Sequence, residues 1–363
     1  MTFSPTDAAL LCENCGCLHR ITHRRGLIQE HDYYAALDQR PSPPLAATTA
    51  TECGNCGARF ELSDGLHADA CPFCDSSVVL DPKQFRHLAV EGILPFEVTD
   101  RQSRDAFKKW LKGLWFAPSR LKDFAREDRE LAGFYVPHWT YDTVAHCRYR
   151  GERGDTYMVP VRVRVRQNGR VVEQTKMVPK IRWRPASGAV TVPFDDVLVM
   201  ASHSIPRHLA REAAPWDLNV LVDYQPQYVS GFRSEVHSID LESGFEIARK
   251  RMAPTIRTAV RQDIGGDHQR IHELVVHHSH IRFKHLLLPF WVAAFRFGKR
   301  SFRFVVNGRT GEVQGERPYS VWKIGAAIVA GLILVGGGLY LASELDTPGD
   351  PSFERRVIWP SHQ

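Results

Sequence analysis

The chain has 363 residues, 43% hydrophobic and 24% charged, with 47 Lys and Arg against 41 Asp and Glu for a net charge of +6. That length allows two or three domains with real cores, and the composition excludes a chain disordered throughout. The positive balance, with a pI near 8.9, favours acidic partners such as phospholipid head groups or nucleic acid without selecting between them.

Six of the eight cysteines stand as CxxC pairs, Cys12/Cys15, Cys53/Cys56 and Cys71/Cys74. Thiolate metal ligands are arranged this way, and secreted disulfide frameworks usually are not. The N-terminal MTFSPTDAALLCENC lacks a basic segment followed by an apolar run. No signal peptide is therefore expected, and the chain is expected to start in the cytoplasm.

Residues 1–40 read as a degenerate first zinc-ribbon segment, because no CxxC follows Cys15 before Cys53. His19 and His23 would complete a compact set of Cys12, Cys15, His19 and His23, with Cys17 able to substitute; a ribbon without metal is the favoured reading. A linker at 41–50, rich in proline and small polar residues, follows. At 51–82, CGNCG and CPFCD place Cys53, Cys56, Cys71 and Cys74 as two Cys-x2-Cys pairs around a 14-residue spacer. Four thiolates on two tight turns suit one structural zinc ion, and Gly57 can take the left-handed conformation such a turn needs.

The body, 83–320, reads as α+β with antiparallel hairpins. Phe107, Trp110, Leu111 and Leu114 stand at helical spacing over 104–115. VPVRVRVRQNGRVVEQTKMVPKIRWRP alternates strictly around Asn168-Gly169 and predicts two strands, with Arg162, Arg164 and Arg166 on one face and Val161, Val163 and Val165 on the other. A faint repeat relates Val136-Pro137-His138-Trp139 to Leu288-Pro289-Phe290-Trp291, and Asn307-Gly308 reads as a second turn. Between them, 241–261 has helical periodicity interrupted by Pro254, which is expected to start a second helix. His272, His277, His278, His280 and His285 cluster in sequence without a recognised ligand spacing. Asp263 and Asp267, read in a loop, could bind a cation or cap adjacent helices, capping being the favoured reading.

Ile324 to Ala342 carries no charge over about 19 residues, close to what a helix needs to cross hydrocarbon. A transmembrane helix is expected at 321–343, with Trp322 and Tyr340 at the interfaces and a short extracytoplasmic tail at 344–363. The flanking charges predict a single-pass inner-membrane protein with its N-terminus cytoplasmic. Ala327 and Gly331 have a spacing compatible with a homo-oligomer. No G-x-x-x-x-G-K-[ST], G-x-S-x-G or HExxH occurs, so helicase, hydrolase and metalloprotease activities are not expected.

The segments ADACPFCDSSVVL, LPFEV, FKKWLKGLWFAPSRLK, FYVPHWTYD, PFDDVLVMAS, DIGGDHQRI, FKHLLLPFW and VVNGRTGEVQGERPYSVWKI make the chain similar to a bacterial family of TFIIB-type zinc-ribbon membrane proteins. The resemblance covers nearly the whole chain. Members are often labelled primosomal protein N′ or superfamily II helicase-like, a label the absent Walker motif does not support here. The resemblance implies zinc at Cys53, Cys56, Cys71 and Cys74, and partners of the phage-shock-protein-A and SPFH or virion-core types. In the family the first ribbon is complete, whereas here it stops after Cys15. The expectation is a non-catalytic, membrane-anchored zinc-ribbon adaptor docking cytoplasmic protein partners in membrane stress or organisation. The alternatives are a membrane-tethered nucleic-acid binder and, third, a membrane-proximal enzyme without a linear motif.

Overall fold

The computed structural model describes residues 1–22, 28–38, 45–60, 68–74, 76–79, 83–113, 131–167, 170–213, 215–297, 300–316, 325 and 328–337. Three long strands carry the body: Ala132–Gln167, Arg170–Phe194 and His268–Phe297. Their alternating β-branched, aromatic and basic residues suit a pleated surface with two different faces. The first long strand pairs antiparallel with the second from Thr143↔Phe194 to Gln167↔Arg170, and with the third from Ala132↔Val292 to Gly154↔His268. Gly92–Ile93 adds on in parallel beside Leu286 and Leu287 of the third strand, and Arg300–Asn307, then Val313–Gly315, pair on along its C-terminal part.

The two sequence repeats lie opposite each other, with Val136 paired to Leu288. Asn307-Gly308 does lie beyond a strand end, yet the left-handed residue of that turn is Gly311, at φ +74°. Asn307 instead closes the turn, accepting at Oδ1 from the backbone N–H groups of Arg309 and Thr310.

Alternation along the first long strand sends Tyr135, Trp139 and Tyr141 to one face and Phe134 and Val136 to the other. The long helix Leu241–Ile264 covers the Trp139 and Tyr141 face with Leu241, Phe245, Ala248, Met252 and Ile256. Pro254 lies inside this single helix and does not begin a second one. Its missing N–H costs about 3 kcal/mol in a helix interior. The buried stripe runs unbroken past it to Val260 and Ile264, so tertiary packing outweighs that local penalty. The shorter helix Asp100–Lys112 starts earlier than its apolar spacing suggests, because Thr99 and Gln102 form a capping box. Leu114 and Trp115 lie outside the described residues.

The expected fold class needs correction. The body is mostly sheet, with a minor share of helix, and among the described residues no helix is long and apolar enough to cross a membrane. Of the apolar segment, Gly325 and 328–337 are described, as helix, and they do not make such a span. This finding overturns the transmembrane helix at 321–343, and with it the single-pass inner-membrane placement and the orientation inferred from the flanking charges. Apart from Gly325, the rest of 321–343 and the whole of 344–363 lie outside the described residues.

One feature exceeds the sequence expectation. The third long strand begins at His268, opposite Gly154, so 155–167 and 170–182 continue beyond it as a two-stranded arm. At about 3.3 Å per residue the arm is on the order of 40 Å long. Its tip, Asn168-Gly169, and the side chains of Val165 and Arg166 lie outside the described residues.

Candidate metal centre

Three turns of one kind are built around the CxxC pairs. At the second pair, Cys53 N donates to Ala58 O (2.9 Å) and Gly57 N to Cys53 O (2.8 Å), with Gly57 at φ +73°. A side chain at that φ would be strained, which is why glycine follows the second cysteine. At the third pair, Cys71 N donates to Ser76 O (2.7 Å). The two turns face each other, and Cys53, Cys56, Cys71 and Cys74 bring their sulfurs together into a cluster that could hold a metal ion such as zinc.

The spacing fits tetrahedral sulfur coordination. Cys53 Sγ lies 3.7 Å from Cys74 Sγ, and Cys56 Sγ lies 3.7 Å from Cys71 Sγ. A tetrahedron with metal–sulfur bonds of about 2.3 Å has edges of about 3.8 Å, whereas a disulfide would require about 2.05 Å. Polar neighbours complete the set: the Ser76 hydroxyl is 2.9 Å from Cys74 Sγ, and Asn55 Nδ2 donates to the same sulfur at 3.4 Å. The hydrogen bond from Cys71 lowers the pKa of Cys56, and the same bond, with burial, raises that of Cys71. A metal requires the deprotonated thiolates, so binding there would release protons.

The centre is sunk into the body. Cys53, Cys71 and Cys74 are buried, and Phe73 packs 4.6 Å from Phe134 of the first long strand. Backbone bonding crosses the same junction, where Val236 N donates to Arg59 O at 2.9 Å. Beside it lies Glu235, fully buried, accepting from the hydroxyls of Ser202 and Ser204 (2.5 and 2.8 Å). Burial pushes the Glu235 carboxyl up to about 8, so it is largely protonated at neutral pH. Nothing in the local sequence marked Phe134, Ser202, Ser204 or Glu235 as neighbours of the ribbon, because they meet it only through the fold.

The remaining candidate ligands behave differently. Cys12, Cys15 and Cys17 sit on an equivalent turn, half-buried or exposed, and Cys15 is lowered by hydrogen bonds from the Cys17 backbone and the Cys12 thiol. Among the described residues, Cys12, Cys15 and His19 form no converging ligand group; His23 lies outside those residues. The five histidines of the third long strand do not gather either. His272 reaches Glu152, His278 packs on Phe245, and His285 is buried against Trp139. Asp142, Asp195 and Asp196 do converge, but Lys284 Nζ already sits 2.6 Å from Asp196 Oδ1 and 4.0 Å from Asp142 Oδ2. Asp267 binds the Thr156 N–H at 2.7 Å across the base of the arm. Asp263 accepts from Tyr149 OH.

Comparison with known proteins adds little chemistry. Over 273 residues, 74% of each chain, the sequence is 24% identical to the uncharacterized protein YdjG of Bacillus subtilis (strain 168). No family model matches the chain, and no solved structure matches it.

Proposed function

We propose that the protein is a non-catalytic zinc-ribbon adaptor, in which one zinc ion at Cys53, Cys56, Cys71 and Cys74 staples the ribbon to the body and the β arm docks a protein partner. The arm is the observation that carries this reading. A two-stranded hairpin is at best marginally stable alone in water, yet this one extends well past its supporting strand. It also leaves Tyr157, Met158, Met177 and Ile181 exposed.

The arm docks through its faces, because both of its edges are blunted. Opposite residues alternate between even–odd pairs such as Thr156↔Ile181 and odd–even pairs such as Tyr157↔Lys180. Thr156 N points outward, to Asp267, so even-numbered N–H groups of the first strand face the outer edge. By the antiparallel pattern, odd-numbered N–H groups of the second strand do the same on the opposite edge. Pro160 lies at such an outward position on one edge of the arm, and Pro179 lies at one on the other. Each removes a donor that strand addition by another chain would need.

A second reading, nucleic-acid binding, is favoured by the arm's charge. Arg162, Arg164, Lys176, Lys180 and Arg182 are exposed, against Asp155 and Glu173. A two-stranded ribbon also fits the major groove of a duplex. The ribbon itself contributes little, since between Cys53 and Cys74 the one Lys or Arg is Arg59, paired to Glu52 at 3.0 Å.

The test compares the full chain with a Tyr157→Ser/Met158→Ser/Met177→Ser/Ile181→Ser variant as affinity baits. The adaptor reading expects a stoichiometric protein partner that the variant loses while retaining its metal. Equal capture by both baits contradicts docking through the arm. Absence of a protein partner, with duplex binding that weakens steeply with salt, would replace this reading with the second.

A further inference from the structure

On the ribbon side of the sheet, the first long strand and the short helix Arg207–Glu212 border a cleft of about 340 Å³. Its walls are mostly apolar, formed by Val197, Leu198, Met200, Ala210, Trp216 and Leu218. Its polar lining consists of His138, Asp196 and Arg251. This size and balance are those of small-molecule sites.

The three polar groups are not equally available. Arg251 Nη1 donates to the Leu198 carbonyl, and Asp196 Oδ1 is held by Lys284. His138 differs. Its ring is 3% exposed, stacked on Phe290, and its Nδ1 lies 2.9 Å from the Val136 carbonyl. A carbonyl only accepts, so Nδ1 carries the proton and Nε2 keeps its lone pair. Burial lowers the imidazole pKa to about 4, so the ring stays neutral and Nε2 remains an acceptor at neutral pH. Among the described residues Nε2 meets no hydrogen-bond donor.

Nε2 is not sealed off from the cleft that His138 lines, so a ligand's N–H or O–H can reach this acceptor and satisfy it. The charges at the cleft are already engaged, so the complementary ligand is neutral. Trp216, itself packed 5.0 Å from Phe290, offers an aromatic wall. We propose that this cleft binds a small neutral aromatic molecule of the indole or phenol class, its single donor on His138 Nε2 and its ring against Trp216.

The experiment titrates the full-length, metal-loaded protein with indole and with N-methylindole, which has the same shape but no donor. Calorimetry and the ¹⁵N resonances of labelled histidine are the readouts. Indole is expected to bind one per chain, about ten-fold more tightly than N-methylindole, and to shift the His138 Nε2 resonance as N-methylindole does not. His138→Leu should remove the ten-fold preference, and Ala210→Trp, which fills the cleft, should remove binding of both. Equal affinities, an unmoved Nε2 resonance, or a preference retained in His138→Leu would each overturn the assignment. The wild-type resonance decides the matter alone if His138→Leu does not fold.

Discussion

The turns at Cys12 and Cys53 have the same backbone and opposite surroundings. In both, the first cysteine's N–H reaches the carbonyl five residues on (Cys17 at 3.0 Å, Ala58 at 2.9 Å), and the glycine N–H returns to that cysteine's carbonyl at 2.8 Å. Gly16 and Gly57 share φ values of +72° and +73°. Yet Cys12 and Cys15 are half-buried and exposed, whereas Cys53 and Cys56 are buried and half-buried against a facing turn that packs, through Phe73, against the central sheet. The comparison separates two kinds of information. The turn is written locally in CxxCG, while the metal centre depends on a second turn brought opposite it and on a body that covers both.

That contrast can be broken most forcefully at the ligands. Cys53→Ser or Cys71→Ser should abolish metal binding at the centre. Stability should fall by several kcal/mol, because structural zinc sites contribute folding free energy outright. Thermal unfolding with metal analysis on the same sample checks this, and because the site is buried in the body, the sheet should melt earlier too.

Phe73→Ala tests the junction rather than the ligands. Truncating a fully buried phenylalanine costs about 3–5 kcal/mol. The expected outcome is that loss of global stability with zinc still bound, measured by denaturant unfolding. An unchanged midpoint would mean that the ribbon does not lean on Phe134.

The glycines sharpen the comparison further. Gly57→Ala and Gly16→Ala impose the same left-handed strain, about 1–2 kcal/mol. Only Gly57→Ala should pass that cost on to the unfolding of the body, since only its turn is built into the core. Amide exchange at the two turns distinguishes local from global opening. At the small end, Cys12→Ser and Cys15→Ser should change global stability by no more than about 0.5 kcal/mol, as expected for positions outside a metal centre or core.

The legibility of the chain follows the same division. The four clustered cysteines could be read from spacing because each CxxC turn is local, and at Gly57 the residue after the second cysteine has a fixed conformational task. The alternation around Val161 to Val165 announced strands. Their continuation back to Ala132 and forward to Phe194 was not announced, because Gly133, Gly151 and Gly154 on the first strand and Gly188 on the second interrupt the pattern at places where neighbouring side chains or backbone come too close for a Cβ. At Gly151, a Cβ would meet the Arg270 carbonyl at 2.1 Å. Pro254 misled for a related reason: its local cost is real, but a helix stripe buried on both sides of it decides the outcome. The apolar run at 324–342 was read by composition, and the helix described there spans 328–337. The placement of Glu235 and Phe134 beside the ribbon joins segments far apart in the chain, and no local pattern reports such contacts.

Of the two similar turns, only that at Cys53 contributes to a cluster that could hold a metal ion. Metal content by mass spectrometry on the wild type, Cys12→Ser/Cys15→Ser and Cys53→Ser proteins tests it directly. The expected result is one zinc per chain in the first two and none in the third. Two zinc ions in the wild type, one of them lost with Cys12 and Cys15, would contradict it.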